Sequence, residues 1–263
     1  MDILEQLCGS ARMRVEKKKA EVSEEQIQTL AFNTPLPDKK SFREALSHPG
    51  MSFICECKKA SPSKGLIDPD FPYLQIAKDY EAAGADVISC LTEPTRFLGS
   101  DQYLKEIASA VDLPVLRKDF IVDRYMLYEA RVLGASAVLL IAAALSEDML
   151  AEFLHITRSL GLDALVEAHD AQEVETAVRC GAQIIGVNNR NLRDFSVDIN
   201  NSIRLRRHVP EHILMVAESG IRTRSDILQM EQAGISGVLI GETLMKAADK
   251  KQLLSELKGE SEL

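Results

Sequence analysis

The sequence is organised around Ser-Phe-Ile-Cys-Glu-Cys-Lys-Lys-Ala-Ser-Pro-Ser-Lys-Gly at residues 52–65. Its first half is typical of a β-strand, whose side chains alternate between two faces, so Ile54, Glu56 and Lys58 share one face. A carboxylate and an ammonium on the inward face of a core strand are costly to desolvate unless they are paired or used. A loop of turn-forming residues follows at 61–65. The stretch therefore predicts either the opening of an active site or a single buried ion pair.

From this strand onward one unit repeats, in which a helix ends at a glycine and a short turn leads into an apolar strand. Glycine is the usual left-handed cap of a helix, and the five joints contain Gly84, Gly134, Gly161, Gly181 and Gly234. Eight strands are predicted, near residues 52–58, 86–91, 114–118, 137–142, 163–168, 183–188, 213–218 and 237–241. Regular alternation of strands and helices predicts a parallel sheet, and eight units fit an α/β fold of the (β/α)8 TIM-barrel type. A doubly wound open sheet is the alternative, but no GxGxxG follows the first strand.

Composition narrows the class of protein. The 263 residues are 46% hydrophobic and 27% charged, with a net charge of −9, which argues against a nucleic-acid-binding surface. No apolar run is long enough to span a membrane, and the first residues lack the apolar core of a signal peptide. Five cysteines without paired spacing predict a reduced, cytoplasmic protein. The five histidines form no HxH or HExxH group, so we expect no metal site.

Residues 1–48 precede the first strand and are helical in character, so we expect an N-terminal helical extension followed by a barrel domain at 49–263. The eight strands close without this extension, and we expect it to pack on the catalytic face and help to form the substrate pocket. The basic run Lys17–Lys19 lies beside several glutamates. This pattern favours a solvated helix face over a binding patch.

Polar residues collect at the predicted carboxyl ends of the strands, which open onto one face of such a barrel. Carboxylates and lysines from several strands on one face are difficult to explain by packing alone. The loops after the last two strands are the usual phosphate site of this fold, and backbone N–H groups beside small residues suit an anion. The residues concerned are Glu56, Lys58, Lys118, Glu167, Asn188, Arg190 and Glu218 for the charged and polar ends, and Ser219, Gly220 and Gly241 for the anion.

On these residues the chain resembles the indole-3-glycerol-phosphate synthase family over nearly its whole length. The motifs that carry the resemblance are specific in combination: Glu-Cys-Lys-Lys-Ala-Ser-Pro-Ser-Lys-Gly at 56–65, Leu-Arg-Lys-Asp-Phe at 116–120, Leu-Val-Glu-Ala-His at 165–169, Gly-Val-Asn-Asn-Arg-Asn-Leu at 186–192, Ala-Glu-Ser-Gly-Ile at 217–221 and Leu-Ile-Gly-Glu-Thr-Leu-Met at 239–245. The resemblance implies ring closure, decarboxylation and dehydration of 1-(2-carboxyphenylamino)-1-deoxy-D-ribulose 5-phosphate in tryptophan biosynthesis. It also implies that no cofactor or metal is needed.

The resemblance further implies roles for individual residues. Lys118 would be the general acid of ring closure with Glu167 as its partner in proton transfer, and Lys58 and Arg190 would hold the substrate carboxylate. Glu56, Asn188 and Glu218 would orient these groups and the sugar hydroxyls. The remaining candidates for substrate binding are Ser61 in the first loop, Phe97, Phe120 and Leu192 around the aromatic ring, and Ser219, Gly220 and Gly241 at the phosphate.

We expect the partner to be a small phosphorylated substrate, without nucleic acid or membrane. We also expect a monomer or a weak homo-oligomer, with other tryptophan-pathway enzymes as candidate contacts. Two other functions stay open, a Schiff-base aldolase that uses a barrel lysine and a barrel that only binds a metabolite. The chain departs from the family pattern at Cys57 and in the middle of the loop at 92–100, so the sequence leaves the shape of that loop undetermined.

Overall fold

The computed structural model describes residues 2–191 and 194–260, and it contains a closed barrel of eight parallel strands. In chain order these strands are β1 (Ser52–Cys57), β2 (Val87–Leu91), β3 (Val115–Lys118), β4 (Ala137–Ile141), β5 (Asp163–Ala168), β6 (Ile184–Asn188), β7 (Leu214–Glu218) and β8 (Gly237–Ile240). Each strand pairs with its sequence neighbours, and β1 pairs with β8 to close the barrel. The predicted fold is confirmed.

Helices alternate with these strands on the outside of the barrel, and three helices precede β1. Five of the outer helices end just before a glycine with positive φ, at Gly84, Gly134, Gly161, Gly181 and Gly234, as the repeated joint predicts. The helices of the described residues are α1 (Ile3–Glu21), α2 (Glu24–Asn33), α3 (Phe42–Ala45), α4 (Tyr73–Ala82), α5 (Asp101–Ala110), α6 (Tyr125–Val132), α7 (Glu147–Ser159), α8 (Ala171–Arg179), α9 (Asn200–Leu205), α10 (Arg224–Gln232), α11 (Glu242–Met245) and α12 (Lys250–Lys258). Short 3-10 turns lie at Ala142–Ala144 and Arg206–His208.

The alternation along the strands produces two cores. Ile54 belongs to the apolar cluster inside the barrel, whereas Phe53, Cys55 and Cys57 belong to the cluster between the strands and the outer helices. The departure at Cys57 therefore affects packing outside the barrel. No helix in the described ranges is long and apolar enough to cross a membrane.

The first 48 residues reach both ends of the barrel. Helix α1 lies over the carboxyl ends of the strands, where Leu4 and Leu7 line the cavity described below. Helix α3 lies at the opposite end, since Phe42 and Leu46 are buried in the cluster inside the barrel and the backbone N–H of Arg43 donates to Asp163 at the start of β5 (2.8 Å). The division into an extension at 1–48 and a barrel at 49–263 stays a prediction.

The loop after β1 is more ordered than its sequence suggests. Residues predicted as a plain loop contain a small antiparallel hairpin, in which Ala60–Ser61 pairs with Gly65–Leu66. The hairpin holds Ser61 and Pro62 over the cavity at the carboxyl end of β1.

Candidate active site

A cavity of about 430 Å³ lies at the carboxyl ends of the strands, and each of the eight strands ends at its wall. The residues at or next to the strand ends are Lys58, Leu91, Lys118, Ile141, Glu167, Asn188, Glu218 and Ile240. The other residues that the sequence nominated also line it, namely Glu56, Ser61, Phe97, Phe120, Arg190, Ser219, Gly220 and Gly241. Leu192 was nominated too, but it lies outside the described residues. The structure thus brings together every described residue of the nominated set.

Lys118 lies at the centre of the charged groups. Its ammonium is 2.9 Å from Glu167 Oε2 and 3.3 Å from Glu218 Oε2. Burial would lower the pKa of Lys118, but the charges of Glu167, Glu218 and Glu56 outweigh burial and raise it well above its ordinary value. For Glu167 the balance is the reverse: burial opposes ionisation, but Lys118 and His169 hold the pKa far below its usual range. Lys118 is therefore protonated and Glu167 ionised at neutral pH.

Glu218 does not ionise as easily. It is buried, and its Oε1 has no hydrogen-bond partner among the described residues. Burial raises its pKa to about 7, because the attraction of Lys118 offsets burial only in part and Glu167 adds repulsion. Gly186 on the neighbouring strand makes room for this side chain, since a Cβ at 186 would lie 2.1 Å from Glu218 Oε1. Sequence analysis missed Gly186, although the two-residue period of β6 places it on the same face as Asn188.

Glu56 and Lys58 form a second ion pair on the same face of the barrel. The Lys58 ammonium donates to Glu56 Oε1 at 2.5 Å, and both side chains are largely buried. A Cβ at position 241 would lie 2.3 Å from Glu56 Oε1 and 2.8 Å from Lys58 Nζ. Gly241, nominated for phosphate binding, is thus also required for the close approach of this pair.

Asn188 and Arg190 extend the charged wall along β6. Asn188 Nδ2 donates to Glu167 Oε1 at 3.3 Å, and Asn188 Oδ1 accepts from the backbone N–H of Arg190 at 3.0 Å. The guanidinium of Arg190 donates to the carbonyl of Phe195 at 3.2 Å. These bonds fix both residues relative to Glu167.

An apolar wall faces these charges. The rings of Phe97 and Phe120 lie 6.1 Å apart between centroids, and both line the cavity with Leu4 and Leu7 of α1. The loop that carries Phe97 is held by the buried Glu93, whose carboxylate accepts backbone N–H bonds from residues 95, 96 and 97 at 2.7–3.0 Å. The altered middle of the 92–100 loop therefore still presents an aromatic ring to the cavity.

The loop after β7 has an unusual backbone. Ser219 has φ +67° and is followed by Gly220 with φ +87°. A residue other than glycine in this region is strained, by about 1–3 kcal/mol, and such strain concentrates at ligand sites. A Cβ at Gly220 would lie 2.5 Å from Val197 Cγ1, so the turn also packs closely against the segment after β6.

His169 is a residue at this site that sequence analysis missed. It is largely buried, with Nε2 3.4 Å from Glu167 Oε1 and Nδ1 3.1 Å from Glu173 Oε2. Burial would lower its pKa, but the two carboxylates raise it to about 10. His169 is therefore a second cation beside Glu167. Its position directly after β5 and two residues after Glu167 could have indicated that it lies on the same face as Glu167.

Ion pairs that cannot be read from the sequence hold α1 to the barrel. Arg14 binds both oxygens of the buried Asp119 at 2.7 and 3.2 Å, and Asp119 directly follows Lys118. Lys18 bonds to Asp101 and Glu129, and Lys19 lies 2.8 Å from Asp123. The expectation that Lys17–Lys19 forms a solvated face is wrong for Lys18 and Lys19, which bind the barrel instead. We call these contacts the α1 ion pairs.

The arrangement can hold an anionic aromatic substrate and move protons. It offers a protonated lysine beside an ionised glutamate, cations for a carboxylate, an apolar wall and a backbone turn with small residues. Within residues 2–191 and 194–260, no group of three histidine, cysteine, aspartate or glutamate residues could hold a metal ion.

Comparison with known proteins agrees with this geometry. The family model described as indole-3-glycerol phosphate synthase matches residues 4–257. An indole-3-glycerol phosphate synthase of Ruminiclostridium cellulolyticum is 53% identical over 257 residues, covering 98% of this chain and 99% of the relative. The enzyme of the same name from Endomicrobium trichonymphae is 53% identical over 256 residues, covering 97% and 99% of the two chains.

Solved structures with low identity support the fold alone. A 3-hexulose-6-phosphate synthase superposes with a TM-score of 0.65 at 15% identity, covering 80% of this chain and 99% of that one. A tryptophan synthase chain from Pyrococcus furiosus gives 0.59 at 15% identity, covering 79% and 98%. Both likenesses are to the barrel.

Proposed function

The chain belongs to the indole-3-glycerol phosphate synthase family, and we propose how its described side chains divide the reaction. It is a decarboxylating carbon–carbon lyase of tryptophan biosynthesis. Its substrate is 1-(2-carboxyphenylamino)-1-deoxy-D-ribulose 5-phosphate, which closes to indole-3-glycerol phosphate with loss of carbon dioxide and water. The observation that carries the assignment of roles is the position of Lys118 between Glu167 and Glu218 in the cavity.

We assign ring closure to Lys118 as general acid. The substrate carbonyl must gain a proton while the aromatic ring carbon attacks it, and the Lys118 ammonium in the cavity wall is the group that we assign to donate it. Glu167 is its partner, since it is ionised and lies 2.9 Å away. Glu218 and Asn188 orient this pair and the sugar hydroxyls.

The substrate carboxylate would lie between Lys58 and Arg190, both of which line the cavity. Lys58 is also the candidate acid of the dehydration step, with Glu56 within hydrogen-bond distance to accept or return a proton. The aromatic ring would pack against Phe97 and Phe120. Helix α1 covers this part of the cavity, and exclusion of water there would strengthen the ionic contacts.

The phosphate would bind at the backbone of Ser219, Gly220 and Gly241. Two observations support this placement: the strained φ of Ser219, and the position of these residues after β7 and β8, where this fold usually binds phosphate. Ser61 reaches the same cavity from the hairpin after β1.

We propose that the enzyme works in the cytoplasm as a monomer or weak homo-oligomer, with other enzymes of the pathway as candidate contacts. All five cysteines are free thiols, and four of them are buried, which suits a reducing compartment. The Schiff-base alternative loses support, because an amine must be neutral to attack a carbonyl and Lys118 is held protonated.

Product fluorescence tests the activity. Purified enzyme with the substrate named above should produce the indole fluorescence of indole-3-glycerol phosphate. Borohydride with a ketose phosphate should leave the protein unlabelled. A stable adduct on Lys118 together with the absence of indole product would contradict the proposal.

A further inference from the structure

One carboxylate lies where the substrate brings negative charge. Glu242 directly follows Gly241 and begins α11, and its side chain lines the same cavity as Ser219 and Gly220. A substrate with a carboxylate and a phosphate carries about three negative charges at neutral pH. A fixed carboxylate at the same wall repels such a ligand, so its position needs an explanation.

Three cations face Glu242, and two of them come from distant parts of the chain. Lys246, one turn along α11, donates to Oε1 at 2.7 Å. Lys64 from the hairpin after β1 lies 3.8 Å from Oε1, and Arg190 from the loop after β6 lies 3.9 Å from Oε2. Glu242 and Lys246 already form an ordinary i,i+4 ion pair on the helix. That pair does not explain why Lys64 and Arg190 also lie near Glu242. We call these four residues the Glu242 cluster.

The contacts of Lys64 and Arg190 with Glu242 are weak enough for either cation to bind another anion instead. At 3.8 and 3.9 Å they are ion pairs without a hydrogen bond, and both Lys64 and Arg190 keep some exposure to solvent. Such pairs are weak in water. Arg190 is also one of the two cations that we assign to the substrate carboxylate, so the same guanidinium serves two anions.

We propose that Glu242 weakens the binding of the substrate and product, because it competes with their anions for Arg190 and Lys64. In the free enzyme Glu242 pairs with both cations, and in the complex they turn to the ligand. The enzyme thereby binds phosphorylated ligands less tightly and releases its product sooner. This inference rests on the proposed positions of the carboxylate and the phosphate.

The ionisation of Glu242 agrees with this role. Burial would raise its pKa, but Lys246, Lys64 and Arg190 together lower it. Glu242 is therefore negatively charged over the whole range in which the enzyme would be assayed.

Glu242→Gln tests the inference, because glutamine keeps the shape and the acceptor oxygen for Lys246 but removes the charge. We expect KM for the substrate and the inhibition constant of inorganic phosphate to fall by about three- to tenfold. The variant removes one negative charge near the bound anion, and solvent and salt screen the repulsion between the two. The matched control is Glu231→Gln, a carboxylate of similar exposure that pairs with Arg224 at 3.0 Å outside the cavity. The control should leave both constants unchanged.

The outcomes separate this inference from the function it rests on. Unchanged or weaker binding in Glu242→Gln, with competitive inhibition of the wild type by phosphate, would overturn the inference and leave the phosphate site standing. Active wild type that phosphate does not inhibit competitively would overturn the phosphate site and the inference with it. An equal tightening in Glu231→Gln would show that net charge alone is responsible, and it would also overturn the inference.

Discussion

Glu218→Gln is expected to stabilise the folded enzyme at alkaline pH while it removes activity. The carboxylate is buried, its Oε1 has no hydrogen-bond partner among the described residues, and its Oε2 lies 3.3 Å from Lys118. Burial raises its pKa from 4.5 to about 7, with Glu167 adding repulsion. The folded state therefore binds the Glu218 proton more tightly than the unfolded state does.

The sign and size of the effect follow from this difference. The cost of Glu218 is absent below the unfolded pKa of 4.5, grows as the pH rises toward 7 and is complete above it. The difference between the two pKa values corresponds to a cost of about 3 kcal/mol. Glutamine removes that cost, but a buried amide without a full set of partners costs about 1–3 kcal/mol. The net gain should be at most about 2 kcal/mol at pH 8 and absent at pH 5.

Urea unfolding of wild type and Glu218→Gln at pH 5, 6.5 and 8 measures the effect, with Glu231→Gln as the control for removal of a partly exposed, paired carboxylate. The unfolding midpoint of Glu218→Gln should exceed that of wild type at pH 8 only. A shift of the same size at every pH, or a loss of stability at pH 8, would refute the reasoning about burial.

Three further changes should have distinct effects. Gly241→Ala should lower kcat/KM at least about tenfold, because its Cβ would lie 2.3 Å from Glu56 Oε1 in the buried ion pair. The control Gly9→Ala should leave kcat/KM unchanged, because a Cβ at position 9 would have nothing within 4 Å. Arg14→Met should raise KM and lower the melting temperature, because it removes the guanidinium that binds both oxygens of the buried Asp119. Kinetics and thermal unfolding that match wild type would contradict this. Removal of residues 1–22 should keep the circular dichroism of the barrel but raise KM, and an unchanged KM would show that α1 plays no part in binding.

The barrel was predictable because each of its units carries a local signal. A glycine after a helix and an apolar strand after the glycine are features of neighbouring residues, and all eight observed strands begin and end within about one residue of the predicted positions. The two-residue alternation in β1 also placed Glu56 inside the barrel and Cys57 outside. Short-range chemistry thus determined both the fold and the face on which the charges lie.

Contacts between distant segments were not predictable in this way. The α1 ion pairs join residues about one hundred positions apart. The charge pattern of α1 therefore indicates only pairing with residues close in sequence, and not these partners in the barrel. The same holds for α3, because nothing in its four residues indicates that Phe42 enters the amino-terminal end of the barrel. A truncation at Pro49 would remove α3 from the amino-terminal end of the barrel together with α1. Removal of residues 1–22 alone is therefore the more specific test of the role of α1.

The measurement that tests the account most directly is the kinetics of Lys118→Met, followed by indole fluorescence. Loss of the general acid acts on the transition state, so kcat should fall by about 10²–10⁴-fold while substrate binding stays within a few-fold of wild type. Circular dichroism should show an intact barrel, because methionine fills the space left by the lysine stem. Retention of more than about a tenth of wild-type kcat in a folded variant would contradict the assignment of Lys118 as the acid of ring closure.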